Sequence, residues 1–443
     1  MDDGFDLILS GGVVVTPGGL VATDLGVRAG RLAAIGDLAT AVAADRLDVA
    51  GLHVLPGVID SQVHFREPGD ARKEDIESGT RAAVLGGVTT ILEMPNTTPP
   101  TTSAAALADK LARARGRAWC DHGFFVGATE DGIETLAELE RRPGCAGVKL
   151  FMGSSTGNLL VAGEAALAGV LAAGRRRMAV HAEDEARLVE RRALVADGAG
   201  PDQHPVWRDE IVALRATERL MRLARATGRR VHVLHVSTAE EMNILADHRD
   251  IATVEVTPQH LTLAAPDCYA RLGTLAQMNP PIRGPRHREA LWRAVAEGLV
   301  DVIGSDHAPH RWEDKARPYP ASPSGMPGVQ TLVPVMLDHV AAGRLSLLRF
   351  VDLACAGPAR VYGIAGKGRI ARGYDADLTV VDLKARRRIT DDWIASACGW
   401  TPFDGMTVTG WPVMTVLRGR VVMREGAVAG DPAGAPARFI ECL

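Results

Sequence analysis

The 443-residue sequence lacks the marks of several protein classes. Its six cysteines, at 120, 145, 268, 355, 398 and 442, form no Cys-x-x-Cys pair and no stapling pattern, so reduced thiols in a cytoplasmic protein are expected. No run approaches the ~20 apolar residues needed to cross a bilayer, which excludes a membrane protein of helical type. The start, "MDDGFDLILSGGVVV", has neither a positive charge nor a long apolar segment, so no signal peptide is expected. With 50 Lys and Arg against 54 Asp and Glu, there is no basic excess to suggest nucleic acid and no acidic tail. Solenoid repeats and low-complexity tracts are also missing. A hydrophobic share of 47% is ample for a large core. The length fits a (β/α)8 barrel with a smaller module.

Eight short apolar, β-branched runs pass through the middle, each ending in polar residues: "HVLPGVIDSQVH", "GVTTILEMPN", "DHGFFVGAT", "AGVKLFM", "RMAVHAED", "VHVLHVST", "IATVEVTP" and "VDVIGSDHAP". Most are separated by amphipathic segments such as "KEDIESGTRAAVLGG" and "HREALWRAVAEGLV", whose apolar residues recur at three and four. The pattern predicts an α/β protein with a (β/α)8 TIM-like barrel over 53–365. The gap between the fifth and sixth strands is long and holds two helix-like pieces. Residues 1–52 and 366–443 read instead as short alternating strands broken by Gly, Asp and Pro. Neither flank makes a comfortable sheet alone, so the two chain ends are expected to form one small β-sandwich module. The tail "DPAGAPARFIECL" reads as loosely ordered.

In "LPGVIDSQVHFREPG", strand alternation places Gln62, His64 and Arg66 on one face. Such polar residues on a buried strand need partners. Barrel enzymes keep their chemistry at the carboxyl ends of strands. Those ends here carry His64 and Arg66, Asn96, Lys149, His181, His235 and Asp306, with His310 just beyond. His, carboxylate and Lys converging there would suit a hydrolytic metal centre. Taken singly, each has a plainer reading: a satisfied core histidine, or Asp306 as a cap. Lys149 is harder to explain structurally, because Lys is rarely buried without a partner. His232 lies an odd number of residues from His235 and should face away.

Together "PGVIDSQVHFREPG", "GGVTTILEMPNTTPP", "VKLFMGSSTGN", "VHAED", "VLHVST", "NPPIR", "GSDHAPH" and "GRIARGYDADLTVVD" resemble a class I-like dihydroorotase of the amidohydrolase superfamily, along nearly the whole chain. The resemblance implies a binuclear Zn2+ site bridged by a carbamylated Lys149. One ion would take His64 and Asp306, the other His181 and His235, with a hydroxide between them. That hydroxide would attack the ring amide, and Asp306 would carry its proton to the departing nitrogen. Arg66, Asn96 and His310 would hold the substrate carboxylate, a guanidinium being suited to two parallel hydrogen bonds. Asn279 would contact the ring. The loop "RPYPASPSGMPGVQ" reads either as backbone donors to the ring or as ordinary surface. Hydantoinases and allantoinases, which act on rings without this carboxylate, lack the His-x-Arg pairing as families.

The sequence departs from the family where Gln62 replaces the first His of His-x-His. Either Gln62 coordinates weakly or supports a two-metal centre, or one zinc sits on Lys149, His181 and His235, or the protein is a silent scaffold. In "TPQHL" one of two adjacent histidines is absent, which gives His260 a packing or loop-holding role. Two classes therefore stand: a metal-dependent cyclic amidohydrolase, working as a homodimer or larger assembly, and a non-catalytic barrel that partners aspartate transcarbamoylase.

Overall fold

A computed structural model describes residues 4–155, 157–195 and 198–442. Eight parallel strands follow one another around a barrel: Val58–Val63, Val88–Glu93, Asp121–Gly127, Cys145–Phe151, Met178–His181, Val231–Val233, Ala252–Val256 and Val302–Ile303. Nearly all their residues are buried, as expected for parallel strands covered on both faces. The first and eighth strands meet through a short link: the His64 N–H donates to His307 O (2.7 Å) and the His307 N–H to Gln62 O (3.2 Å). The barrel is thus nearly closed, and its weakest seam lies beside the polar strand ends.

Local chemistry sets the helix boundaries. In the helix Ile76–Leu85, Asp75 accepts from the Ser78 N–H while Ser78 reaches back to the Asp75 N–H, a reciprocal cap. The helix Glu210–Thr227 starts on Asp209 and stops at Gly228, whose φ of +70° is left-handed. Among the described residues it is the longest helix in the gap between the fifth and sixth strands.

The strand expected to run unbroken from His53 divides at Gly57. His53–Pro56 joins a different sheet, pairing antiparallel with Leu378–Arg388. A Cβ at Gly57 would come within 2.2 Å of Thr89 Oγ1, and the Gly57 N–H donates to Asp377 O (2.7 Å). Close backbone approach, invisible to an alternation pattern, makes the break.

Both chain ends build two further sheets. One has four strands from residues 5–48; the other has seven, in the order Ala427–Val428, Arg420–Arg424, Thr407–Leu417, Leu378–Arg388, His53–Pro56, Val13–Thr16, Gly19–Ala22. They share a core that includes Leu7, Leu25, Val54, Leu378 and Val416. The tail is docked, not loose. The Ala437 N–H donates to His122 O (2.7 Å), and Phe439 is buried against Phe125 and Tyr362 beneath the barrel. One aromatic anchor outweighs a Pro- and Gly-rich composition. All six cysteines are free thiols. Among the described residues, no helix is long and apolar enough to cross a membrane.

Candidate active site

A narrow polar cleft opens at the carboxyl ends of the strands. Gln62, His64, Arg66, Asn96, Lys149, His181, His235, Asn279 and Asp306 all line it. His310 does not line the cleft but stands behind Arg66, its Nε2 3.4 Å from the guanidinium. All the expected site residues except His310 therefore line one cleft. The backbone is shaped for the purpose. Among the described residues, six non-glycine positions have positive φ, and three of them are Arg66 (+51°), His235 (+39°) and Asp306 (+44°). Such conformations cost ~1–3 kcal/mol each and gather at functional sites.

Two pairs of possible metal donors face each other across the cleft. On one side His181 Nδ1 lies 3.1 Å from His235 Nε2. The other nitrogen of His181 donates to Glu183 (3.0 Å), which Arg208 grips in turn. Burial tends to raise the Glu183 carboxyl, but Arg208 and His181 overcome it and hold the group near 2. Glu183 thereby fixes the tautomer that leaves Nδ1 bare. On the other side His64 Nε2 lies 3.3 Å from Asp306, while His64 Nδ1 is held by Asn96 (2.7 Å). The Gln62 amide donates to Asp306 (3.1 Å), and its own carbonyl oxygen is buried and, among the described residues, has no partner. Burial pulls His64 down to about 4, and both His181 and His235 below the usual imidazole range. All three are neutral at pH 7, the form that binds metal.

Lys149 is buried between the two pairs. Among the described residues it has no hydrogen-bond or ion-pair partner, only the Phe151 ring at 4.5 Å. Burial pulls its ammonium down to about 7, so a large share is neutral amine at physiological pH. Arg66 is also buried. Among the described residues its direct hydrogen bond goes to Pro309 O (3.2 Å), while His310 Nε2, 3.4 Å away, gives its proton to Ser324 O; neither is an anion. Burial lowers even this guanidinium, to about 10. Asp306, Glu93, Asp70 and Glu74 act on it through space without outweighing burial, and among the described residues none of them pairs with it directly, so its fork can receive an anion in the cleft.

The cleft's far wall brings in residues that sequence reasoning missed. Asn279 Oδ1 is held by His204 Nε2 (3.1 Å), which also reaches Met278 O (3.0 Å). Ser155 also lines the cleft, as do Ser324 and Gly325 of the loop 317–330, which the sequence offers as backbone donors to the ring or as ordinary surface. His204 sits in the long gap and Glu183 just past a strand, where polar residues read as solvated surface; only the two-residue spacing from His181 to Glu183 offered a signal. The exclusions have clear partners. His232 binds Thr253 (2.8 Å) inside the barrel, and His260 binds Pro280 O (3.1 Å), steadying the Asn279 loop.

Among the described residues, no group of three His, Cys, Asp or Glu side chains is placed to hold one ion. Each side of the cleft supplies two such donors, and Lys149 lies between them. The donors nevertheless fit a metal. Two nitrogens bound to one tetrahedral zinc stand ~3.3 Å apart, close to the observed His181–His235 approach. Each side would be completed by Lys149 once converted to a carboxylate.

The fold and this site define a barrel hydrolase with its chemistry at the strand ends. The chain belongs to the amidohydrolase family, which matches residues 53–422. It is similar to a dihydroorotase of Methanosarcina mazei, at 36% identity over 87% of each chain. It is equally similar to an allantoinase of Rubrobacter xylanophilus, at 36% identity over 98% of this chain and 97% of that one. Among solved structures, the L-hydantoinase of Arthrobacter aurescens superposes with a TM-score of 0.93 at 31% identity, covering 98% of this chain and 99% of that one.

Proposed function

We propose that the protein is a dihydroorotase, interconverting N-carbamoyl-L-aspartate and L-dihydroorotate in pyrimidine biosynthesis. The observation that carries this reading is Arg66, a buried guanidinium on the wall of the cleft that, among the described residues, has carboxylates near it but none in direct contact. Dihydroorotate offers a carboxylate to fill that role. Arg66 binds it, with Asn96 and His310 beside it, and Asn279 contacts the ring. Asp306, hydrogen-bonded to Gln62, takes the proton of the attacking water and delivers it to the departing ring nitrogen. His64, His181, His235, Asp306 and a carbamylated Lys149 would hold Zn2+, one ion or two, which would acidify water and polarise a carbonyl. Carbamylation joins the neutral Lys149 amine to CO2 with loss of one proton, and burial favours that amine. The reading includes a cytoplasmic, homo-oligomeric enzyme. The remaining donors, His64, Lys149, His181, His235 and Asp306, together with Arg66, Asn96 and His310, weigh against a silent partner of aspartate transcarbamoylase.

A second reading, allantoin or hydantoin hydrolysis, is favoured by the near-complete length match to an allantoinase. One experiment separates them: turnover of dihydroorotate, allantoin and hydantoin, with zinc per chain quantified in the same sample. Dihydroorotate should be the best substrate and zinc should be present. Faster turnover of either uncharged ring would overturn the assignment, and a metal-free, inactive chain would favour the scaffold.

A further inference from the structure

Lys315 closes the short helix Trp312–Lys315, beyond the last strand end, and is fully buried. It is not part of the chemistry described above. Its Nζ donates to three backbone carbonyls: Pro323 (2.8 Å), Gly325 (3.0 Å) and Gln277 (3.3 Å). The Trp400 ring lies 5.8 Å away. Among the described residues, no carboxylate pairs with it. Burial lowers its ammonium from the ordinary lysine value, while the three carbonyls favour the protonated, three-donor form. A cation kept where its own charge is disfavoured must be doing something that a neutral side chain does less well.

The three carbonyls belong to two walls of the cleft. Gln277 lies two residues before Asn279. Pro323 and Gly325 flank Ser324, and both Ser324 and Gly325 line the cleft that His64 and His181 also line. The walls are also joined directly, because the Gly325 N–H donates to the same Gln277 carbonyl (2.9 Å). Ser324 O accepts from His310 Nε2 (3.0 Å), the histidine behind Arg66. Gly325 has a φ of +134°, and a Cβ there would meet Ala308 O at 2.5 Å, so this stretch has little freedom to shift as a body. A single ammonium, with three protons and no preferred plane, is the knot at which these segments converge.

We infer that Lys315 is a positioning residue: it fixes the spacing between the Gln277–Asn279 wall and the Ser324–Gly325 wall, and so sets how tightly the cleft holds the ring of its substrate. This rests on the reading of the cleft as a cyclic-amide site. Lys315 touches no donor of the proposed metal centre, so its effect falls on binding and not on the chemical step.

The test uses the full-length, zinc-loaded enzyme and its Lys315→Met and Lys315→Gln variants. Methionine fills the space without donors; glutamine returns two of the three. KM for dihydroorotate should rise about tenfold or more in Lys315→Met and less in Lys315→Gln, while kcat and zinc per chain stay within about threefold. Amide hydrogen exchange across 317–326 should quicken in the same order. An unchanged KM, or a fall in kcat together with zinc, would overturn the inference. Should Lys315→Met not fold, Lys315→Gln decides by the same KM and exchange comparison. If the wild-type enzyme turns over only allantoin or hydantoin, the substrate assignment fails and the KM comparison moves to that substrate. If it turns over none, the functional reading fails, and unchanged exchange across 317–326 would separately overturn the role of Lys315.

Discussion

At the scale of single residues, Arg66 and Gln62 carry the most exposed claims. Removing Arg66 strips a bound carboxylate of its bidentate partner, a loss of ~2–5 kcal/mol. Arg66→Ala should therefore lower kcat/KM for dihydroorotate by at least about 30-fold. Arg66→Lys should also be poor, because a point charge does not replace a planar fork. Steady-state kinetics on both variants checks this, and near-normal turnover of Arg66→Ala would remove the carboxylate from the account. Gln62→His tests the other side of the cleft. Among the described residues the buried Gln62 carbonyl oxygen has no partner, and the amide nitrogen already touches Asp306, so an imidazole placed there can join His64 and Asp306. Zinc per chain should rise, or resist chelators longer, and Lys149, His181 and His235 should be untouched. Identical metal content and chelator sensitivity would place residue 62 outside the coordination sphere. These residues were legible in the sequence because their types are out of place on apolar strands. Glu183, Arg208 and Lys315 were not, because a charged residue in a loop or helix has the same appearance whether it faces water or is buried.

At the scale of elements, what matters is how each strand ends. The alternation in "DSQVHFR" correctly groups Gln62, His64 and Arg66, although the strand itself stops at Val63 and Arg66 turns into left-handed backbone. Grouping survived because the chain continues past the strand toward the same cleft. The eighth run, "VDVIGSDHAP", keeps only Val302–Ile303 as ladder, since its next residues leave the sheet to deliver Asp306. Periodicity reports a buried stretch but not where its hydrogen bonds cease. The fifth strand shows the value of the segment beyond it. His181 ends the ladder, and Glu183, two residues on, holds its outer nitrogen. Glu183→Gln keeps the shape but removes the charge that fixes the imidazole, and outer partners of this kind are worth ~10–100-fold in metal affinity. Zinc titration against a competing chelator should show weaker binding in Glu183→Gln with the fold intact by circular dichroism. Unchanged affinity would mean that Arg208 and the strand suffice to orient His181.

At the scale of the whole molecule, barrel and terminal sheets are joined at the end opposite the cleft. Asp121 opens the third barrel strand and is buried. It binds Lys367 Nζ (2.8 Å), the Arg418 guanidinium and the Ala435 N–H (2.8 Å), three groups from the C-terminal part of the chain. The pairing of the two chain ends was legible from their matching strand patterns; this pin was not, because its partners are nearly 250–300 residues away and each is an ordinary charged residue in sequence. Burial tends to raise the Asp121 carboxyl, but Lys367 and Arg418 prevail and hold it below its ordinary value. Asp377, which shares Lys367, is instead pushed up by burial, so the acid limb of this cluster belongs to Asp121. A carboxyl with a depressed folded value contributes stability that is present above its unfolded value, near 3.9, and is lost as pH falls through the folded one. Breaking a buried pair by removing one partner costs ~3–5 kcal/mol. Asp121→Asn should therefore lower unfolding free energy by about 3 kcal/mol at pH 7, with the gap to wild type narrowing below about pH 4. Activity at pH 7 and moderate temperature should be unchanged, since the lower end of a barrel governs stability and the upper end chemistry. Denaturant unfolding at pH 7 and at successively lower pH measures the gap. A gap that stays constant into acid would show that the charge on Asp121 does not hold the two parts together.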